Sequence, residues 1–197
     1  MLCSEDYSLR QLREQDLELL LQWRNSDHIR ANMYTDHIIS TKEHLDWFNR
    51  VKDNPAMLYL IFEHRGQPVG LVNFTGIDST NNRCMWGFYI GESGLPPESG
   101  TMMGYLGLNF IFEDKQLRKV SGEVISFNRA SRLFFRRLGF TEEGRLRQHA
   151  LKNGRYVDVI LYSILADEWR DVYKSEVEDM LRRIQERTGV TRNVQRI

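Results

Sequence analysis

The sequence predicts an α+β domain in which helices flank a mostly antiparallel central sheet of about seven strands, with one further helix at the C-terminus. Two observations carry this. The runs Met57–His64, Pro68–Ile77 and Arg83–Ile90 are rich in Val, Ile, Phe, Tyr and Leu and are separated by turn-forming stretches. On either side of them the apolar residues recur at helical rather than alternating spacing.

In chain order, a short strand over Tyr7–Leu12 leads into a helix over Asp16–Asn25, whose stripe is Leu17, Leu20, Leu21 and Trp23. Asp27–Tyr34 forms a second short helix. Thr41 serves as the N-cap of a third, with Glu43 and His44 in its first turn, and Asp53-Asn54-Pro55 stops it. The three strand runs then form a meander across Arg65–Pro68 and Asp78–Asn82. The last of them is apolar on both faces, with Cys84, Trp86 and Phe88 on one and Met85 and Tyr89 on the other, as a strand covered on both sides requires. A loop over Gly91–Ser99 precedes a helix from about Gly100 to Phe112. Lys119–Ser126 is a strand, Asn128–Leu138 a helix, and Thr141–Leu151 and Tyr156–Leu165 a closing hairpin marked by Asn153-Gly154. Trp169, Tyr173, Val177, Met180, Leu181 and Ile184 mark the final helix, which Gly189 ends before a frayed tail.

The chain has 197 residues, enough for one domain with a sizeable core, and its 27 basic residues balance 27 acidic ones. That balance argues against a nucleic-acid partner, which normally meets a basic surplus. No apolar run approaches the roughly 20 residues that cross a bilayer. The acidic start, Met1–Asp6, does not read as a signal peptide. Cys3 and Cys84 make neither a disulfide framework nor a metal cluster, and His28, His37 and His44 do not reproduce a zinc pattern. The expectation is a cytoplasmic protein without a metal and without a membrane or nucleic-acid partner.

The chemistry concentrates in Met85–Phe140: a buried strand, a glycine-containing loop, a helix, a strand, and a helix leaving through Leu138-Gly139-Phe140. A loop entering a helix presents free backbone N–H groups at the positive end of a dipole, a cradle for a pyrophosphate. Ser99, Gly100, Thr101, Met102, Met103 and Gly104 form that loop and first turn; a plain turn is the alternative reading.

This order of elements, the glycine loop and the run Asn128–Phe140 resemble the GCN5-related N-acetyltransferases, the GNAT superfamily. Glu142–Arg145 and Asp158 resemble its branch that acetylates ribosomal protein N-termini. Leu21–Asn25, Ile29, Met33, Thr35, His37-Ile38, His44, Trp86–Gly91, Gly122–Val124 and Gly154–Val159 are similar to the acetyltransferases of pseudaminic acid biosynthesis. Those enzymes acetylate the 4-amino group of a UDP-linked amino-dideoxy sugar used in flagellin glycosylation. The resemblance spans about residues 7–170, and it divides the chain into an acetyltransferase domain, 1–166, and a C-terminal helix and tail, 167–197.

The resemblance implies a mixed sheet splayed at its middle, between the parallel strands Arg83–Ile90 and Lys119–Ser126, with acetyl-CoA in the opening. Phe88, Tyr89 and Ile90 would hold the pantetheine arm, as an added strand would. Ser99–Gly104 would hold the pyrophosphate, and Asn128, Ser131, Phe135 and Arg137 would contact the cofactor from the next helix. Arg132, Arg136 and Arg137 read equally well as solvated charges. For the acceptor, a UDP-amino-sugar, the candidates are Trp23, Arg24, Asn25, Met33, His37, Trp47 and Trp86, with Arg24 on the diphosphate and Trp23, Tyr34 or Trp47 stacked on uracil or a sugar face. Trp23 and Trp47 read equally well as helix anchors.

Two departures stand out. The loop Pro97–Thr101 keeps one glycine and carries Glu98, unfavourable beside a pyrophosphate unless it points away. The position that holds a thiolate-protonating Tyr in many members is Phe135. Glu123 is the candidate general base and His149 a second; each also has a purely structural reading. A backbone N–H near Phe88–Ile90 is the expected oxyanion donor. Cys84 has no neighbouring base and reads as core, so direct attack of the amine on the thioester is expected. The alternatives are a protein N-terminal or polyamine acetyltransferase, or a non-catalytic acyl-CoA-binding module; the C-terminal helix could also pair two copies into a homodimer.

Overall fold

The structure, a computed structural model, describes residues 4–187. Strand β1 (Tyr7–Gln11) leads into helices α1 (Leu17–Asn25), α2 (Asp27–Arg30) and α3 (Thr41–Val51). Strands β2 (Met57–His64), β3 (Gln67–Asp78) and β4 (Arg83–Ile90) follow, then α4 (Ser99–Asn109), β5 (Lys119–Ile125), α5 (Arg129–Arg137), β6 (Thr141–Lys152) and β7 (Arg155–Leu165). The chain closes with α6 (Ala166–Glu168), a wide helical turn over Trp169–Tyr173, and α7 (Lys174–Arg187). The expected stop at Gly189, the tail after it and Cys3 lie outside the described residues.

The seven strands form one sheet in the order β1-β2-β3-β4-β5-β7-β6. Every neighbouring pair is antiparallel except β4 and β5, which run parallel. The β6–β7 hairpin turns on Asn153 and Gly154, both left-handed at φ 49° and 73°, the conformation for which an Asn-Gly pair is suited.

Helices α1–α3 cover one face of the sheet, where Leu20, Trp23, Ile29, Ile61, Leu71 and Tyr89 make a small cluster. The other face carries the main core, in which Trp86, Met102, Met103, Phe135, Tyr162 and Trp169 are buried together. Strand β4 contributes to both, Trp86 below and Tyr89 above, as its two-sided apolar pattern predicts. Trp169, Val177 and Leu181 are completely buried in the main core, so the apolar stripe of the C-terminal segment packs on its own sheet.

Several element boundaries differ from the sequence-based expectation, and three of them have a visible reason. Helix α2 stops at Arg30 rather than Tyr34, because the buried Lys152 ammonium takes the carbonyl oxygens of Arg30 (3.4 Å) and Met33 (2.7 Å) and pairs with Asp36 (2.6 Å). The N-cap of α3 is Ser40, not Thr41. Its hydroxyl accepts from the Glu43 N–H (3.2 Å), while the Glu43 carboxylate accepts from the Ser40 N–H (2.9 Å), a reciprocal capping box. Helix α4 ends at Asn109 and widens over Phe110–Asp114, where the Lys115 N–H reaches back to the Phe110 carbonyl.

Trp169→Ala tests how far the C-terminal segment supports the domain. Removing a large, fully buried ring should cost about 4 kcal/mol in a urea unfolding curve. A loss below about 1 kcal/mol would mean the segment is only loosely attached.

Candidate active site

The site begins where two strands part. β4 and β5 pair for only three residues, Arg83 with Lys119, Cys84 with Val120 and Met85 with Ser121. Beyond them β4 continues through Trp86–Ile90, bonded to β3 alone, while β5 continues through Gly122–Ile125, bonded to β7 alone. Each strand therefore has one edge of unpaired backbone groups facing the gap. Beneath the parting, Phe135 of α5 lies against Trp86 and Phe88 of β4 and Tyr162 of β7, with ring centroids 5.7, 5.6 and 5.2 Å away. A Cβ on Gly122 would stand 2.5 Å from that ring, so a bare backbone is what lets the ring seat at this level of β5.

A cavity of about 780 Å³ lies at the gap and is lined from both faces of the sheet. On the α4/α5 side it is lined by Gly100, Met103, Asn128, Ser131 and Phe135; in the middle by Trp86, Phe88, Tyr89, Ile90 and Glu123; on the α1–α3 side by Arg24, Met33, His37, Glu43, His44, Trp47 and Tyr59. Most of the residues singled out in the sequence thus meet in one place. Asn128 caps α5, its side-chain oxygen accepting from the Ser131 N–H at 3.0 Å. Trp86 is 4% exposed and packs in the main core, on the side opposite α1–α3.

The α1–α3 side is where the polar groups are concentrated. Arg24 Nη1, His44 Nε2 and the Tyr89 hydroxyl are buried without a hydrogen-bond partner. Burial pushes the Arg24 pKa down, and the groups acting on its charge are the hydroxyls of Tyr89 and Tyr59 rather than any carboxylate. Burial likewise lowers the pKa of His44, whose ring bonds to the Leu17 backbone and stacks on Trp47 at 5.0 Å. Among the described residues the carboxylates on the cavity wall are those of Glu43 and Glu123. Glu43 is already committed to the Ser40 N–H and hydroxyl and to His37, which hold its carboxyl at about 2. Glu123 accepts a hydrogen bond from the Tyr34 hydroxyl.

Other candidates from the sequence stand elsewhere. Trp23 is a core anchor: Gly91 rests on its indole, it packs edge-on to Tyr89, and its Nε1 donates to Glu92 at 2.9 Å. Asn25 is spent on the backbone of Ile39, donating at 2.9 Å and accepting at 2.8 Å, which ties down the segment before α3. His149 is exposed on β6, outside the cavity, edge-on to Tyr34. In the loop, Ser99, Thr101, Met102 and Gly104 turn inward and leave Gly100 and Met103 on the wall; Ser99 shares a hydrogen bond with Tyr7, and Gly104 sits under Leu138. Glu98 is buried beside Tyr7, off the cavity wall, so the expected clash with an anion does not arise. Arg137 is exposed and off the wall. Cys84 is buried, its thiol pushed up to about 12, which leaves no thiolate nucleophile.

The sequence reading named Tyr34 only as a ring that could stack on the acceptor, and it gave no site role to His44, Tyr59 or Lys152. Lys152 had no signal at all. His44 was readable as the inward-facing turn position of α3, one residue after the capping Glu43.

A family model described as an acetyltransferase (GNAT) domain matches residues 9–161 of the chain. YdaF of Bacillus subtilis, named for ribosomal N-acetylation, is 27% identical over 140 residues, 71% of this chain and 73% of that protein. The acetyltransferase PseH of Campylobacter jejuni is 24% identical over 131 residues, 66% of this chain and 80% of that protein. Among solved structures, spermidine N-acetyltransferase from Vibrio cholerae, crystallised with CoA and spermine, superposes with a TM-score of 0.78 at 22% identity, covering 84% of this chain and 98% of that one.

The buried imidazole gives the site a pH signature. His44 has a lowered pKa in the fold, so the folded chain binds fewer protons than the unfolded chain just below the ordinary histidine value of about 6.5. Its contribution to stability is complete above that value and is lost as pH falls from there toward the folded pKa. Urea midpoints between about pH 7.5 and 5.5 should therefore fall more steeply for the native chain than for His44→Gln; parallel slopes would remove His44 from the account.

Proposed function

Because the chain belongs to the GNAT acetyltransferase family, we propose that it moves an acetyl group from acetyl-CoA to the amino group of a UDP-linked amino-dideoxy sugar, the acceptor of pseudaminic acid biosynthesis. The observation that carries the acceptor class is Arg24. A buried guanidinium nitrogen without a hydrogen-bond partner is costly, and an anion delivered by the ligand relieves that cost. His44, Tyr59 and Tyr89 surround it with further hydrogen-bonding groups suited to a diphosphate. The same wall offers a polyamine few free acceptors, since the Glu43 carboxylate is engaged by Ser40 and His37 and one oxygen of Glu123 accepts from Tyr34.

On this reading CoA enters from the α4/α5 side. Its pyrophosphate meets the start of α4 at Gly100, and its pantetheine arm lies along the free edge of Phe88–Ile90. The acceptor enters from the α1–α3 side, its diphosphate on Arg24 and its ring against Trp47. The substrate ammonium passes a proton to Glu123 through water, and the neutral amine attacks the thioester carbon. A backbone N–H of the parted β4 edge holds the oxyanion. As the intermediate collapses the C–S bond breaks, and the thiolate takes its proton from water, since Phe135 has none to give.

Incubation with acetyl-CoA and a UDP-4-amino sugar, beside spermidine and a peptide amine, should give thiol release and a mass gain of one acetyl group with the sugar alone. Acetylation of spermidine or the peptide in its place would replace the acceptor class. CoA binding with no thiol release from any amine would leave only a binding module. Arg24→Gln should raise KM for the nucleotide sugar about ten- to a hundredfold, the value of a charge-assisted bond, while CoA affinity stays unchanged. Gly100→Ala fits the fold, with the nearest atoms 3.8 and 4.0 Å from the new Cβ, so a several-fold loss of CoA affinity with unchanged melting would locate the phosphates at that turn.

A further inference from the structure

The geometry points to Tyr34 as the residue that positions Glu123 for proton transfer from the acceptor amine, coupling the base on the sheet to the segment that roofs the acceptor side. This rests on the reading of Glu123 as base given above. The contact joins distant parts of the chain: the Tyr34 hydroxyl, between α2 and α3, donates to Glu123 Oε2 on β5, 89 residues on. That leaves Oε1 to receive the proton. Of the two carboxylates on the wall, Glu43 is held at about 2 by its own cap and is too weak a base, so the work falls to Glu123.

Tyr34 is held from both flanks. On one side Lys152 bonds the Met33 carbonyl and pairs with Asp36, whose own carbonyl accepts from Arg30 Nη1 at 2.8 Å. On the other, Asn25 clasps the Ile39 backbone. The ring meets His149 edge-on, centroids 6.4 Å apart. Burial and the neighbouring carboxylate push the phenol well above its ordinary pKa, so it remains a donor throughout the working pH range. A fixed donor on one carboxylate oxygen sets the direction of the other.

The proton balance is simple. The ammonium gives one proton to Glu123, the C–N bond forms, the C–S bond breaks, and both the Glu123 proton and the second amine proton leave to solvent and the thiolate. Tyr34 gives up no proton at any point.

The test is a double-mutant cycle on the full chain with the acceptor that turns over best. Tyr34→Phe keeps a ring that is 49% exposed and should fold as the native chain does. It should lower kcat about tenfold with KM for acetyl-CoA unchanged, the split expected of a group that acts on the base and not on cofactor binding. Glu123→Gln should lower kcat further, and Tyr34→Phe added to it should cost nothing more. Full activity of Glu123→Gln would overturn the base itself. An impaired Glu123→Gln beside a Tyr34→Phe with native kcat would overturn the positioning role alone. So would a Tyr34→Phe loss that persists in the Glu123→Gln background, which would make Tyr34 a tether of the roof.

Discussion

Everything in this molecule depends on the parallel contact of β4 and β5 being too short. Three residue pairs hold the strands together, and then the next rungs of the ladder are missing. Unpaired edges inside a domain are expensive, so something must fill the gap from below and something must be able to pair with it from within. Phe135 does the first, seated against Gly122 and the aromatic cluster around Trp86. A thioester-bearing chain with amide groups along its length suits the second. The family resemblance and the sheet therefore make the same demand from opposite directions.

The two faces of the sheet then divide the labour. The α4/α5 side offers a helix start, a glycine and an asparagine cap, which suit phosphates and a slender arm. The α1–α3 side offers a buried arginine, a neutral histidine and stacked aromatic rings, roofed by a segment that has little regular structure of its own. That segment stays in place because a buried lysine from the far hairpin takes two of its carbonyls and Asp36. The geometry of that face thus depends on the β6–β7 turn, far away in sequence.

Much of this was legible in the chain. The strands, the β6–β7 hairpin turn and the two-sided β4 follow from apolar spacing and from Asn153-Gly154, because those are local signals. Most of the residues grouped by resemblance line one cavity. What was not legible was long-range. Trp23 and Trp47 look alike on paper, yet one anchors α1 and the other faces the cavity, because only a fold decides which side of a helix meets the gap. The cap of α3 fell one residue from its expected place although Ser40 and Glu43 spell a capping box, since Thr41 competes on propensity alone. Lys152 reads as an ordinary turn charge until α2 is placed over it.

The departures from the family pattern become intelligible as packing. Phe135 is packed among Trp86, Phe88, Phe140 and Tyr162, and the tip of its ring meets Gly122 at the edge of the gap. With Phe there, this floor of the gap is apolar, and on the proposed reading proton chemistry falls to the face where the acceptor would arrive. Glu98 follows the same logic: it turns away from the phosphate side and is buried beside Tyr7 near the start of α4, where the helix dipole favours a negative charge. On the proposed reading both departures keep polar side chains off the cofactor path, leaving the parted strands to grip the arm while the roof and β5 would serve the acceptor.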